Sequence, residues 1–115
     1  MSSAKKVLLV EDEIWFVEMY QDFLSEEGVE VHSTACVDQA ISMAGERHYD
    51  CVLLDGKLKE PLDGLRFLHA VDHRRMKVIG VSGNPLTNAL LLRHGATAVF
   101  GKTEVARIVS FVLNK

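Results

Sequence analysis

The chain has 115 residues, with sixteen Asp and Glu against thirteen Lys and Arg, a formal net charge of −3. Its 48% hydrophobic and 25% charged residues are the balance of a globular domain, which excludes a disordered tail, a collagen-like repeat and a coiled coil. A chain of this size buries about two-thirds of its unfolded surface, so a single domain over residues 1–115 is expected. The acidic balance argues against direct nucleic-acid binding, and no apolar run nears the roughly 20 residues of a membrane span.

Lys6 to Val10 (KVLLV) is a continuous apolar run, as expected of a strand covered on both faces. Glu13 to Glu27 carries apolar pairs every four residues (Trp15, Phe16, Met19, Tyr20, Phe23, Leu24), one stripe of a helix that Gly28 closes. Val29 to Ser33 alternates and reads as an edge strand. Asp38 to Arg47 reads as a weaker helix, with Ala40, Ile41 and Ala44 inward and Asp38 as its cap. Cys51 to Leu54 (CVLL) is a second fully apolar run. A polar loop with Pro61 and Gly64 follows, then a helix over Leu65 to His73. Lys77 to Val81 reads as a strand, Pro85 opens a helix that runs to His94 and stops at Gly95, and Thr97 to Phe100 is a short strand. Val105, Ile108, Val109 and Val112 line one face of a last helix.

This alternation predicts an α/β domain with a parallel sheet and helices on both faces. Chemistry in such sheets sits beyond the carboxyl ends of the strands. Glu11, Asp12 and Glu13 follow the first strand, Asp55 the third, Ser82 the fourth and Lys102 the fifth. Each has a plain structural explanation when taken alone. The acidic run complements a helix dipole, Asp55 caps a turn, Ser82 caps the next helix, and Lys102 is a solvated lysine. The coincidence across four strands favours a shared site. Close carboxylates repel unless a cation sits among them, and a hard divalent ion such as Mg²⁺ suits an all-oxygen set. An Asp carboxylate beside Mg²⁺ and Lys can attack phosphorus.

The stretches VLLVEDE, YDCVLLD, PLDG, VIGVSG and GATAVFGK, in this order from Val7 to Lys102, resemble the receiver domain of two-component response regulators, the chemotaxis-regulator-like fold. The resemblance implies a three-layer, doubly wound, flavodoxin-like sheet of five parallel strands in the order 2-1-3-4-5. It makes Asp55 the phosphoacceptor. Asp12, Asp55 and the main-chain carbonyl of Lys57 would ligate Mg²⁺ directly, with Glu11 acting through a water. Lys102 would pair with Asp55 and then with the phosphoryl group. Ser82 would be the switch hydroxyl, and Gly83 the adjacent small residue that leaves phosphorus open. The implied partner is a histidine kinase or histidine phosphotransfer protein. A cytoplasmic location follows, consistent with Cys36 and Cys51 as reduced thiols. The four apolar residues before Glu11 are too few for a signal peptide.

Four departures stand out. Val99 replaces the aromatic residue of the family switch, and Phe100 next to it points to the opposite face, into the core. Thr103 replaces the proline after the lysine, so a trans bond between Lys102 and Thr103 is expected. The loop GKLKEPLDG is about one residue long, with the Lys57 side chain toward solvent. The third and fourth helices are each about a turn short. The fourth is apolar over much of its circumference (Leu86, Ala89, Leu90, Leu91, Leu92).

The family meets targets or dimerises through its fourth helix, fifth strand and fifth helix, which points to Leu90, Leu91 and Phe111 as a partner surface. Ordinary core packing of these residues is the alternative. Ile14 and Val17 lie off the inward stripe of the first helix, on the surface that the family offers to its phosphohistidine partner. The five histidines share no face or ligand spacing, and His94 sits in a last helical turn where a cation is favourable.

The functional expectation is a stand-alone phosphoacceptor receiver, with no output domain in the chain and no turnover beyond its own phosphorylation and dephosphorylation. The rival is a receiver-like interaction module that works without phosphate. An aspartyl-nucleophile phosphatase fits less well, because Lys57 stands where such enzymes place a second Asp. A dinucleotide site lacks its GxGxxG after the first strand.

Overall fold

The computed structural model describes residues 5–56, 58–60 and 62–114. Lys6–Val10 (β1), Glu30–Thr34 (β2), Cys51–Asp55 (β3), Lys77–Val81 (β4) and Ala98–Phe100 (β5) form one parallel sheet in the order β2-β1-β3-β4-β5. Between and after them run Ile14–Glu26 (α1), Val37–Glu46 (α2), Asp63–Ala70 (α3), Pro85–Arg93 (α4) and Val105–Val112 (α5). The predicted order of elements and of strands is the observed one.

Strand alternation divides the core in two. Leu8, Val10, Val52, Leu54 and Val78 face Val37, Ala40 and Ala44 of α2, Phe67 and Leu68 of α3 and Leu91 of α4. Val7, Leu9, Leu53, Ile79 and Val81 face Tyr20 and Leu24 of α1 and Ile108 and Val112 of α5. Val99 joins the first cluster and Phe100 the second, the opposite facing expected of neighbours in a strand. Gly28, at φ +77°, ends α1, with its N–H on the carbonyl of Ser25 and that of Val29 on Leu24. Only a residue tolerant of left-handed backbone fits there.

Several details depart from the expectation. Trp15 and Phe23 are exposed, whereas Val17 packs partly on the core. The buried stripe of α1 is centred on Tyr20 and Leu24, rotated away from the first member of each apolar pair. Asp38 is not a cap. Cys36 occupies that position, its N–H bonded to the Thr34 hydroxyl, and Asp38 pairs with Arg66 of α3.

The helix α3 spans eight residues and lies earlier than predicted. The backbone is extended at Val71, and the His73 ring reaches the carbonyl of Leu68, which closes the last turn. The helix α4 has nine residues, against thirteen in α1. Leu91 is buried, fitted against the bare Cα atoms of Gly56, Gly64 and Gly80, while Leu86, Leu90 and Leu92 are exposed. The histidines are not all separate. His69 on α3 and His94 at the end of α4 bring imidazole nitrogens within 3.2 Å, because the two helices pack side by side.

Candidate functional site

Register alone gathers the site. Val10 stands opposite Leu54, Asp55 opposite Val81, and Val81 opposite Phe100. The residues after these pairs, Glu11, Ser82 and the Gly101-Lys102 turn, therefore leave the sheet beside Asp55 on one edge. Glu11 and Asp55 are buried, and Asp12 is exposed at the rim. One carboxylate oxygen from each of Glu11, Asp12 and Asp55 lies within 4.8 Å of the others. Glu11 also accepts the N–H groups of Asp12 (3.0 Å) and Glu13 (3.2 Å). These bonds fix the backbone that leads into α1, while no acidic side chain caps the helix or lies in its first turn.

The Lys102 ammonium lies 3.1 Å from Glu11, 3.2 Å from Asp55 and 3.4 Å from Glu13. An ammonium has three donors, and here three carboxylates surround it. Burial lowers the lysine's proton affinity, but the charge of Asp55 and the bonds to Glu11 outweigh it, and the net pKa is raised. Glu11 is pushed from 4.5 to about 7, first by burial and then by the negative charge of Asp55. A single lysine does not neutralise three carboxylates. The donor set is all oxygen, partly buried and short of positive charge, and it fits a hard divalent cation held by Glu11, Asp12 and Asp55. Among the described residues, no other group of three or more His, Cys, Asp and Glu side chains comes as close.

Lys57, whose carbonyl is the fourth expected ligand, and Pro61 lie outside the described residues. No peptide bond among the described residues is cis, as Thr103 led one to expect. The turn after β5 is instead held by hydrogen bonds. Glu104 accepts the N–H of Gly101 (2.6 Å) and is itself paired with Arg107 (2.8 Å). Tyr20 donates its hydroxyl to the carbonyl of Lys102 (2.7 Å), and the Phe16 ring lies 4.5 Å from the lysine nitrogen.

Ser82 is buried beside this edge, its hydroxyl accepting the N–H of Asn84 (3.1 Å). It does not cap α4, since Asn84 does so through Leu86. Asn88 donates to the carbonyls of Ser82 (3.0 Å) and Phe100 (2.9 Å), and its own carbonyl oxygen is buried without a partner. Next to it a cleft of about 430 Å³ opens between α4 and the end of β5, lined in part by Ser82, Asn88 and Val99.

The proposed partner residues fare unevenly. Ile14 is 70% exposed, next to the exposed Trp15, whereas Val17 is half-buried on the core. Leu90 is exposed, but Leu91 is only 1% exposed and cannot face a partner. Phe111 is half-buried against Phe100, with ring centroids 5.8 Å apart, and belongs to the core of α5 instead of an exposed leucine patch.

Sequence reasoning missed Tyr20, Phe16 and Glu13 as partners of Lys102, and Asn88 as a tie. A Tyr deep in an apolar stripe and an Asn among leucines were the available signals, because a buried polar tip requires a partner. Both cysteines are free thiols. No helix among the described residues is long and apolar enough to cross a membrane.

Known proteins share this fold. The receiver domain of a sensor histidine kinase from Pseudomonas aeruginosa PAO1, solved with a magnesium ion coordinated in its active-site cleft, is 26% identical with a TM-score of 0.78. The match covers 97% of this chain and 99% of that one. A CheY-like receiver domain protein from Methanospirillum hungatei JF-1 is 24% identical over 97% of this chain and 93% of its own, with a TM-score of 0.83. NtrX from Brucella abortus is 28% identical with a TM-score of 0.82, and there 96% of this chain spans 26% of that protein. No curated protein matches the sequence. The description of the response regulator receiver domain matches residues 7–110, nearly the whole of the fold and every described site residue from Glu11 to Lys102. The chain therefore belongs to the response regulator receiver domain family of two-component signalling.

Proposed function

We propose that this chain is a phosphoacceptor receiver domain, taking a phosphoryl group onto Asp55 from a histidine kinase or histidine phosphotransfer protein. One observation carries the reading: Glu11, Asp12 and Asp55 converge at one strand edge, with the Lys102 ammonium 3.2 Å from Asp55. Asp12 and Asp55, with Glu11 through a water, would hold Mg²⁺, which supplies positive charge against the oxygens of the transferring group. An Asp55 oxygen attacks phosphorus. The bond from phosphorus to the donor's imidazole nitrogen breaks as the bond to Asp55 forms, and a phosphoimidazole already protonated on its other ring nitrogen leaves as neutral imidazole. Lys102 shifts from the carboxylate to the new phosphoryl oxygens, and the Ser82 hydroxyl exchanges the Asn84 N–H for the same group. Ile14 and Trp15, exposed beside the acidic edge, are suited to the phosphodonor, and the signal leaves through the surface around α4. No substrate is turned over beyond the domain's own phosphorylation and dephosphorylation.

Acetyl phosphate can replace the protein donor in a test, with acetate leaving as phosphorus bonds to Asp55. Intact mass after incubation with Mg²⁺ and acetyl phosphate is expected to rise by one phosphoryl group. Asp55→Asn is expected to abolish the gain, and so is removal of Mg²⁺ with a chelator. If the wild-type chain gains no mass with this donor or with a histidine kinase, the rival module that works without phosphate takes its place. The observation favouring that rival is Val99, where a switch aromatic is expected.

A further inference from the structure

Lys102 is aimed at Asp55 although Thr103 follows it, and a threonine does not restrict the turn as a proline ring does. Glu104 holds the Gly101 N–H, and the restraint on Lys102 itself comes from α1. Phe16 and Tyr20 lie one helical turn apart on the same face, their rings stacked at 6.2 Å and 25°. Tyr20 is 1% exposed, so its phenol must find an acceptor inside the protein, and that acceptor is the Lys102 carbonyl at 2.7 Å. Phe16 lies under the ammonium at 4.5 Å. The lysine is thus held at both ends, by its peptide plane and by its charged head, from two consecutive turns of one helix.

We propose that Tyr20 is the positioning residue for Lys102, its hydroxyl fixing the peptide plane from which the ammonium reaches Asp55 and the phosphoryl group. Tyr20 touches neither Asp55 nor the phosphodonor, and it acts only through the lysine. The inference rests on the phosphoacceptor reading for its kinetic consequence and on the hydrogen bond alone for its structural one.

The test is a double-mutant cycle with Tyr20→Phe, Lys102→Met and the pair, each removing little volume. Asp55 labelling by acetyl phosphate and Mg²⁺ is followed by intact mass. Tyr20→Phe is expected to slow labelling about fivefold, the effect of one lost neutral hydrogen bond, with Mg²⁺ affinity unchanged. In the Lys102→Met background the same substitution is expected to do nothing further.

Equal slowing in both backgrounds overturns the proposal, because the hydroxyl would then act on the fold and not on the lysine. So does a Tyr20→Phe rate equal to that of the wild type. A second measurement needs no phosphate. The Phe16 ring, 4.5 Å from the ammonium, is expected to displace the Lys102 ε-methylene NMR resonance in the wild type, and this resonance is expected to move toward the value of a free lysine in Tyr20→Phe. An unmoved resonance overturns the proposal by itself. If the wild type takes no label, the phosphoacceptor reading fails, and the resonance alone decides the role of Tyr20.

Discussion

The edge formed by β1, β3 and the turn after β5 is held by matched polar groups, whereas the neighbouring edge of β4, β5 and α4 is not. On the first, Lys102 engages three carboxylates, its carbonyl has Tyr20, and Gly101 has Glu104. On the second, Ser82 and Phe100 are tied to α4 through Asn88, whose own oxygen is an unpaired buried acceptor. The same α4 exposes Leu86, Leu90 and Leu92, and Val99 borders an open cleft. Chemistry demands fixed distances, and a surface that reports must have a second arrangement within reach. An unsatisfied buried oxygen costs about 1–3 kcal/mol, which leaves the resting arrangement of α4 near such a balance.

The sharpest way to break this contrast is at Lys102. Lys102→Met is expected to slow Asp55 labelling by about 10²–10³-fold, the usual loss on removing one preorganised charge from a developing anion. Mg²⁺ affinity is expected to rise, because Glu11 and Asp55, two of the three carboxylates that would meet the cation, lose their ammonium partner. A loss below about tenfold in the labelling assay would show that the ammonium is not the group that stabilises the transferring phosphoryl. A smaller effect belongs to the second edge. Asn88→Ala removes two hydrogen bonds to buried-edge carbonyls and is expected to cost about 2 kcal/mol in urea unfolding with an unchanged m-value, while labelling of Asp55 persists. Unchanged stability would mean that α4 is not held to the sheet through this side chain.

The same division describes what the sequence makes legible. Strands betray themselves as apolar runs, and parallel register then fixes which residues leave the sheet together. Hence Glu11, Asp12, Asp55, Ser82 and Lys102 could be assembled, Asp55 as the last residue of β3 and the others from their places after Val10, Val81 and Phe100. Helix faces are harder to read, because a rotation of one residue, about 100°, exchanges inside for outside. Trp15 and Val17 exchanged places in this way, and so did Leu91 among the leucines of α4. Contacts between side chains far apart in the chain are harder still. Nothing near Tyr20 in sequence points to Lys102, 82 residues later, and nothing near His69 points to His94. Those pairs follow from which helices become neighbours, which is known only once the layers are packed.

A smaller effect than either substitution isolates the chemical edge by pH. Glu11 is raised from 4.5 to about 7 by burial and by the charge of Asp55, so below pH 7 it keeps a proton that a cation must displace. The sign follows from linkage. Without metal the folded chain binds this proton more tightly than the unfolded chain does. Glu11 therefore adds stability as pH falls through 7 toward 4.5, and the stability is lost as pH rises through 7. Metal binding runs the other way. Mg²⁺ affinity, measured by calorimetry, is expected to be about tenfold weaker at pH 6 than at pH 8, the factor for displacing one proton from a group that titrates midway. Glu11→Gln carries no titrating proton and is expected to flatten the profile while lowering the affinity at pH 8. A flat wild-type profile would place Glu11 outside the group that meets the cation. It would leave Asp12 and Asp55 as the binding pair, and the cation site would then be narrower than the cluster of Glu11, Asp12 and Asp55 suggests.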